Sequence, residues 1–97
     1  MTTLRLELGV RDFDMWREAF GKDQAGRAER GMRSYRIFRP VDDEHKVLLD
    51  SEFDDAATAE AFLEVMRTQV WPDPAKAPAK VGTPRTTVLE LVESHDY

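Results

Sequence analysis

The chain contains no cysteine, no asparagine and no apolar stretch long enough to cross a membrane. Without cysteine there can be no disulfide framework, no thiolate nucleophile and no Cys-ligated zinc. A spanning helix needs about 20 apolar residues in succession. The opening MTTLRLELGVRDFD is broken by Arg5 and Glu7, so no signal peptide is expected and the predicted compartment is the cytoplasm. Excess positive charge is missing too: 14 Lys and Arg stand against 19 Asp and Glu, a net charge of -5. That balance argues against a nucleic-acid partner, which usually needs a basic face. Histidine is limited to His45 and His95. One lies in an acidic turn and one in the tail, too little for a metal site.

What is present fits one folded unit spanning residues 1–97. Charged residues at 34 % and hydrophobic ones at 41 % are ordinary for a globular chain and unlike a disordered one. A domain of this size buries roughly two-thirds of its unfolded surface. It therefore stands to gain from pairing with a second copy.

Residues 3–10, TLRLELGV, alternate apolar and polar, as a strand with one buried face does. Asp12 then caps a helix whose Phe13, Trp16 and Phe20 share a face. That helix is expected to loosen at Gly21 and Gly26 and to end before Gly31. Residues 32–39 form a second strand stopped by Pro40, and KVLLDSEF at 46–53 forms a third. The short acidic link between them predicts antiparallel neighbours. Asp54 and Asp55 offer the cap of a second helix through AATAEAFLEVMRTQV, ended at Trp71-Pro72. Four of the five prolines fall between Trp71 and Pro84, which predicts a loop over 71–84 that serves as a lid or a dimer arm. TTVLELVE at 86–93 is the fourth strand. The order βαββαβ predicts an α+β, ferredoxin-like fold: a four-stranded antiparallel sheet with both helices on one face.

Alternation sorts the strand residues into two faces. Leu4, Leu6, Leu8, Tyr35, Ile37, Val47, Leu49, Phe53, Leu89 and Leu91 are assigned to the helix side. The other face receives Arg5, Glu7, Ser34, Arg36, Phe38, Leu48, Asp50, Glu52, Val88, Glu90 and Val92. This mixture is too apolar for open surface and too charged for a dry interface. A sheet that closes on another sheet around a polar-lined cavity satisfies both halves. Within such a cavity Asp50, Glu52 and Glu90 are candidate bases, their pKa values raised by desolvation, and Arg36 or Arg5 a candidate oxyanion partner. The simpler reading of any one of them is a cross-strand ion pair, Arg5 with Glu90 or Arg36 with Asp50 or Glu52. Tyr35, Phe38 and Trp71 are candidate substrate walls, as well as plain core or plug residues. The arginines at 27, 30, 33, 36 and 39 recur every third residue but cross from helix to strand, so no common face and no phosphate site is expected.

The run VRDFDMWREAF, with Gly31 ahead of SYRIFRPVDDEHKVLLDSEFDDAATAEAFL, resembles the small dimeric α+β barrel proteins of the cyclase-like and antibiotic biosynthesis monooxygenase-like groups. The resemblance implies a homodimer that acts, without cofactor, on an aromatic or polyketide-like molecule bound between sheet and helices. Members of the superfamily oxidise such molecules, cyclise them or degrade haem, and fold does not choose among these. The cofactor-free oxygenases in it are known for an Asn, a Trp and an Arg around the substrate. Here Trp71 matches the indole, and no residue matches the Asn. Two expectations follow: a cofactor-independent cyclase or monooxygenase, or a non-catalytic dimer that binds a small molecule.

Overall fold

A computed structural model describes all 97 residues. Its elements run β1 (Thr2–Val10), α1 (Phe13–Gly21), β2 (Ser34–Phe38), β3 (Lys46–Phe53), α2 (Ala56–Val65) and β4 (Lys80–Glu90). The strand order is β2-β3-β1-β4, antiparallel at every step. This is the ferredoxin-like arrangement, with both helices on one side of the sheet. No helix is long and apolar enough to cross a membrane.

The caps lie where short acidic side chains precede the helices. Asp12 Oδ1 accepts the Met15 amide at 2.9 Å, and Asp55 Oδ1 accepts that of Thr58 at 2.8 Å. Each satisfies a donor that has no carbonyl partner in the first turn. The α1 helix stops at Gly21, and turns occupy the next twelve residues up to β2. Within them Asp23, Gly26 and Gly31 all adopt positive φ. At Gly31, a Cβ would also sit 2.6 Å from the Thr58 methyl, so the chain passes α2 only because that atom is missing.

The core is the layer between sheet and helices. Leu4, Leu6, Val47 and Phe53 are essentially inaccessible, and Phe53 meets Phe62 of α2 with ring centroids 5.5 Å apart. From α1, Trp16 stacks on Phe20 at 5.1 Å, and Phe20 meets Tyr35 edge-on at 5.0 Å.

Three expectations change. First, β2 is shorter than 32–39, while β4 begins at Lys80, so the connection is confined to residues 71–79. Second, α2 does not run on as an α-helix to Val70. Met66–Val70 is a π-helical turn closed by the Trp71 amide on the Met66 carbonyl at 2.8 Å. Third, β4 faces the opposite way. Val88 pairs with Leu4 and packs on the core, whereas Leu89 pairs with Thr3 and points to the far face. Leu91 joins that far side, Glu90 lies opposite Thr2, and Val92 is in the exposed tail. The cause is apolar residues at both parities of VLELV, which leaves the partner strand to set the register.

Candidate functional site

Two regions hold the chemistry-bearing side chains, one on each face of the sheet. On the helix-free face, cross-strand register builds straight rows. Arg36, Asp50, Arg5 and Thr87 form one, and Ser34, Glu52, Thr3 and Leu89 the next. Arg5 grips Asp50 in a fork, Nε to Oδ1 and Nη2 to Oδ2, both 2.9 Å. The Thr3 hydroxyl donates to Glu52 at 2.9 Å. A third row brings Phe38 and Leu48 beside Glu7, which Lys46 reaches at 3.2 Å. Above the first two rows lies a shallow hollow of about 600 Å³, rimmed by Glu90 and Leu91.

The ion pair is therefore Arg5 with Asp50, not Arg5 with Glu90. It also reverses the expected titration of Asp50. The hydrogen bond from Arg5 holds that carboxyl below the usual carboxylate range; burial opposes the shift, and the charges of Arg5 and Arg36 add to it. The same contact holds the Arg5 guanidinium above its ordinary value. A carboxylate held this way is a poor proton acceptor, because a base near neutrality needs a raised pKa.

The second region is a cleft between α1, α2 and the sheet. Its floor is Leu6, Leu8 and Leu49, its walls are Trp16, Phe20, Met32 and Phe62, and Met66, Val70 and Trp71 close one end. The cleft is partly open and holds about 70 Å³. Single π-helical turns recur at functional sites because they displace the following side chain from the α-helical path. Here the turn brings Val70 and Trp71 to the same mouth. The 71–79 segment forms the rest of the lip, fastened by the Arg11 amide to the Ala79 carbonyl at 2.9 Å and by the Arg11 guanidinium to the Pro78 carbonyl. Outside the lip lies an open hollow of about 400 Å³ that shares Trp71, Pro78 and Lys80 with the cleft.

Of the candidate catalytic and substrate-binding residues named from the sequence, only Trp71 lines this cleft. Tyr35 borders it through Phe20. Arg5, Arg36, Asp50 and Glu52 gather around the hollow on the other face, and Phe38 stands one row away; Glu90, expected among them, pairs with Thr2 on the helix-side parity and only borders the hollow at the strand end. Sequence reasoning set Arg27 aside with the other spaced arginines and gave it no place in a site. Its Nη1 donates to the Phe20 carbonyl at 2.7 Å and its guanidinium lies 4.0 Å from the Phe20 ring centroid. The available signal was Asp23 four residues earlier, a helical-turn ion-pair spacing.

A wall of indole, phenyl and thioether groups between helices and sheet is where the fold's relatives become informative. The profile described as antibiotic biosynthesis monooxygenase matches residues 11–71, which includes α1, α2, the π-helical turn and Trp71. The chain belongs to that antibiotic biosynthesis monooxygenase family. Solved structures agree on the fold. SnoaB, a cofactor-independent oxygenase from Streptomyces nogalater, superposes with a TM-score of 0.73 at 12 % identity, over 96 % of this chain and 94 % of that one. A Deinococcus radiodurans protein assigned to the same family gives a TM-score of 0.73 at 17 % identity, over 100 % and 98 % of the two chains. A dimeric ferredoxin-like protein from an uncultured marine organism gives 0.71 at 15 %, over 97 % of each. No curated protein matches significantly by sequence. Within the monooxygenase family's fold, then, this member carries its aromatic cleft on the helix side and its charged rows on the other.

Proposed function

We propose that the protein is a cofactor-independent monooxygenase that oxidises an aromatic or polyketide-like molecule in the cleft between the helices and the sheet. The observation that carries this reading is the cleft's lining, 14 of its 20 residues hydrophobic, with Trp16, Phe20, Phe62 and Trp71 among them. Flat aromatic molecules stack on such walls, and dioxygen, being apolar, partitions into them. A substrate with an acidic C–H between aromatic rings supplies all the electrons itself. Its carbanion reduces dioxygen, one oxygen atom stays as a new carbonyl, and the other leaves as water. The cations at the mouth, Arg27, Lys76 and Lys80, favour the anionic form of such a substrate over the neutral one.

The cleft's volume is far smaller than the roughly 300–1,000 Å³ of pockets that hold drug-sized ligands. In this reading the 71–79 segment, which forms part of the lip, moves aside to admit substrate. The helix-free face, carrying Phe38, Leu48, Leu89 and Leu91, is the surface on which two copies close into a barrel. Two structural neighbours from uncultured marine organisms are dimeric ferredoxin-like proteins, which supports that pairing.

The test is oxygen uptake by purified, metal-free and flavin-free protein given a tricyclic anthrone. The expected result is one dioxygen consumed per quinone formed, with Trp71→Ala lowering the rate at least tenfold and leaving the melting temperature within a few degrees. Binding of the anthrone with no uptake above the spontaneous rate would instead make the protein a carrier. The Arg5 clamp on Asp50 favours that second reading for the other face, since it removes the strongest base candidate there.

A further inference from the structure

The five arginines spaced three apart scatter once folded, and their separate positions single one out. Arg33 forks onto Asp54, Arg30 donates to the Ala25 carbonyl, Arg36 joins the open face, and Arg39 lies over the Phe13 ring. Only Arg27 lines the cleft.

Arg27 is also held in place more firmly than a surface arginine. Asp23, in the left-handed conformation with φ 52°, accepts the Arg27 amide at 2.8 Å and lies 3.4 Å from its Nε. Nη1 is fixed on the Phe20 carbonyl, and the plane of the guanidinium is spread over the Phe20 ring with Tyr35 5.2 Å away. The side chain is 17 % exposed. Those contacts fix Nε and Nη1, while Nη2 has no protein acceptor. Nη2 is not a buried orphan; it stays open to solvent, so an incoming carboxylate can replace water on it while Nε and Nη1 stay pinned. The charge of the surroundings agrees. In a chain of net charge -5, the cleft is lined by three cations, Arg27, Lys76 and Lys80, and one carboxylate, Asp23, already committed to Arg27.

We infer that Arg27 is the specificity-determining residue of the cleft, and that it takes the carboxylate of an acidic aromatic ligand on its free Nη2 edge. This deepens the proposed function, on which it rests for the location of the ligand. A purely structural arginine, present to tie the α1–β2 connection to Phe20, would be indifferent to ligand charge.

Calorimetric titration with 2-naphthoate and 2-naphthamide separates these cases, since the two differ in charge and hardly in shape. The wild-type protein is expected to bind the carboxylate about tenfold more tightly, the size of one charge-assisted hydrogen bond. Arg27→Met should erase that preference while leaving naphthamide affinity unchanged. Equal binding of the two by the wild type overturns the inference, as does a preference that survives in Arg27→Met. Should that variant fail to fold, Arg27→Lys decides: a preference cut several-fold supports the role, because an ammonium lacks the planar fork, and an unchanged one refutes it. If neither compound binds the wild type, the cleft itself is not a ligand site and the proposed function falls first.

Discussion

The two faces of the sheet are made by the same strands, one residue out of phase, and they are finished differently. Toward the helices, Leu4, Leu6, Val47 and Phe53 are sealed by the chain's own α1 and α2. Away from them, Phe38 is 44 % exposed and Asp50 is buried mainly by its neighbours in the sheet and by Arg5. One face is held by dispersion and water release, the other by registered charge. The contrast supports placing the proposed ligand site on the helix side. An apolar layer with one imperfectly filled corner makes a pocket, whereas paired charges are already each other's ligands.

The contrast can be broken at several points. Phe53→Ala removes the most enclosed aromatic of the helix side and should cost about 3–5 kcal/mol in urea unfolding. In a domain of this size that is a large share of the total. Leu48→Asp puts an unpaired charge in the centre of the open face. Under the proposed barrel it should weaken pairing about a hundredfold, roughly 3 kcal/mol, and sedimentation would show single chains with an unchanged circular dichroism spectrum.

Arg5→Ala leaves Asp50 without its clamp. A fully buried pair broken this way costs about 3–5 kcal/mol, but Arg5 is half-exposed and screened by water, so about 1–2 kcal/mol is expected. The pH profile sharpens the same point. Asp50, Asp54 and Asp55 all titrate lower in the folded chain than in the unfolded one. Their contribution is complete above the unfolded value near about pH 4 and drains away as pH falls through the folded values. Asp50→Asn should therefore flatten the acid side of the stability curve measured between pH 5 and pH 2 (both approximate bounds). The smallest effect is at the helix-side rim. Asp12→Ala uncaps α1 for about 1 kcal/mol, visible as a small shift of the urea midpoint with the slope retained.

Much of the fold could be read before any coordinates. The alternation of TLRLELGV, the acidic caps at Asp12 and Asp55 and the stop at Pro40 are local signals, and each does locally what its chemistry dictates. The orientation of β4 was not local. With apolar residues on both parities, only the partner's hydrogen bonds decide it; the excursion upstream slips the register by two residues and leaves the faces as they are. The site was harder still. Trp71 was visible as an aromatic beside proline, but its aim depends on a π-helical turn that no periodicity announces. Arg27 acquires its meaning from the left-handed Asp23, a conformation more natural to glycine.

That excursion in β4 also bears on how copies of the protein can meet. Between the Arg85–Glu7 and Val81–Gly9 pairs, Gly82, Thr83 and Pro84 leave the ladder, so this outer strand offers no continuous row of backbone donors and acceptors. At the opposite border β2 runs for only five residues before Pro40. Both margins are poor templates for another strand, which disfavours sideways growth of the sheet into a fibre. Under the proposed pairing, association falls to the broad charged face, where a single partner ends the assembly.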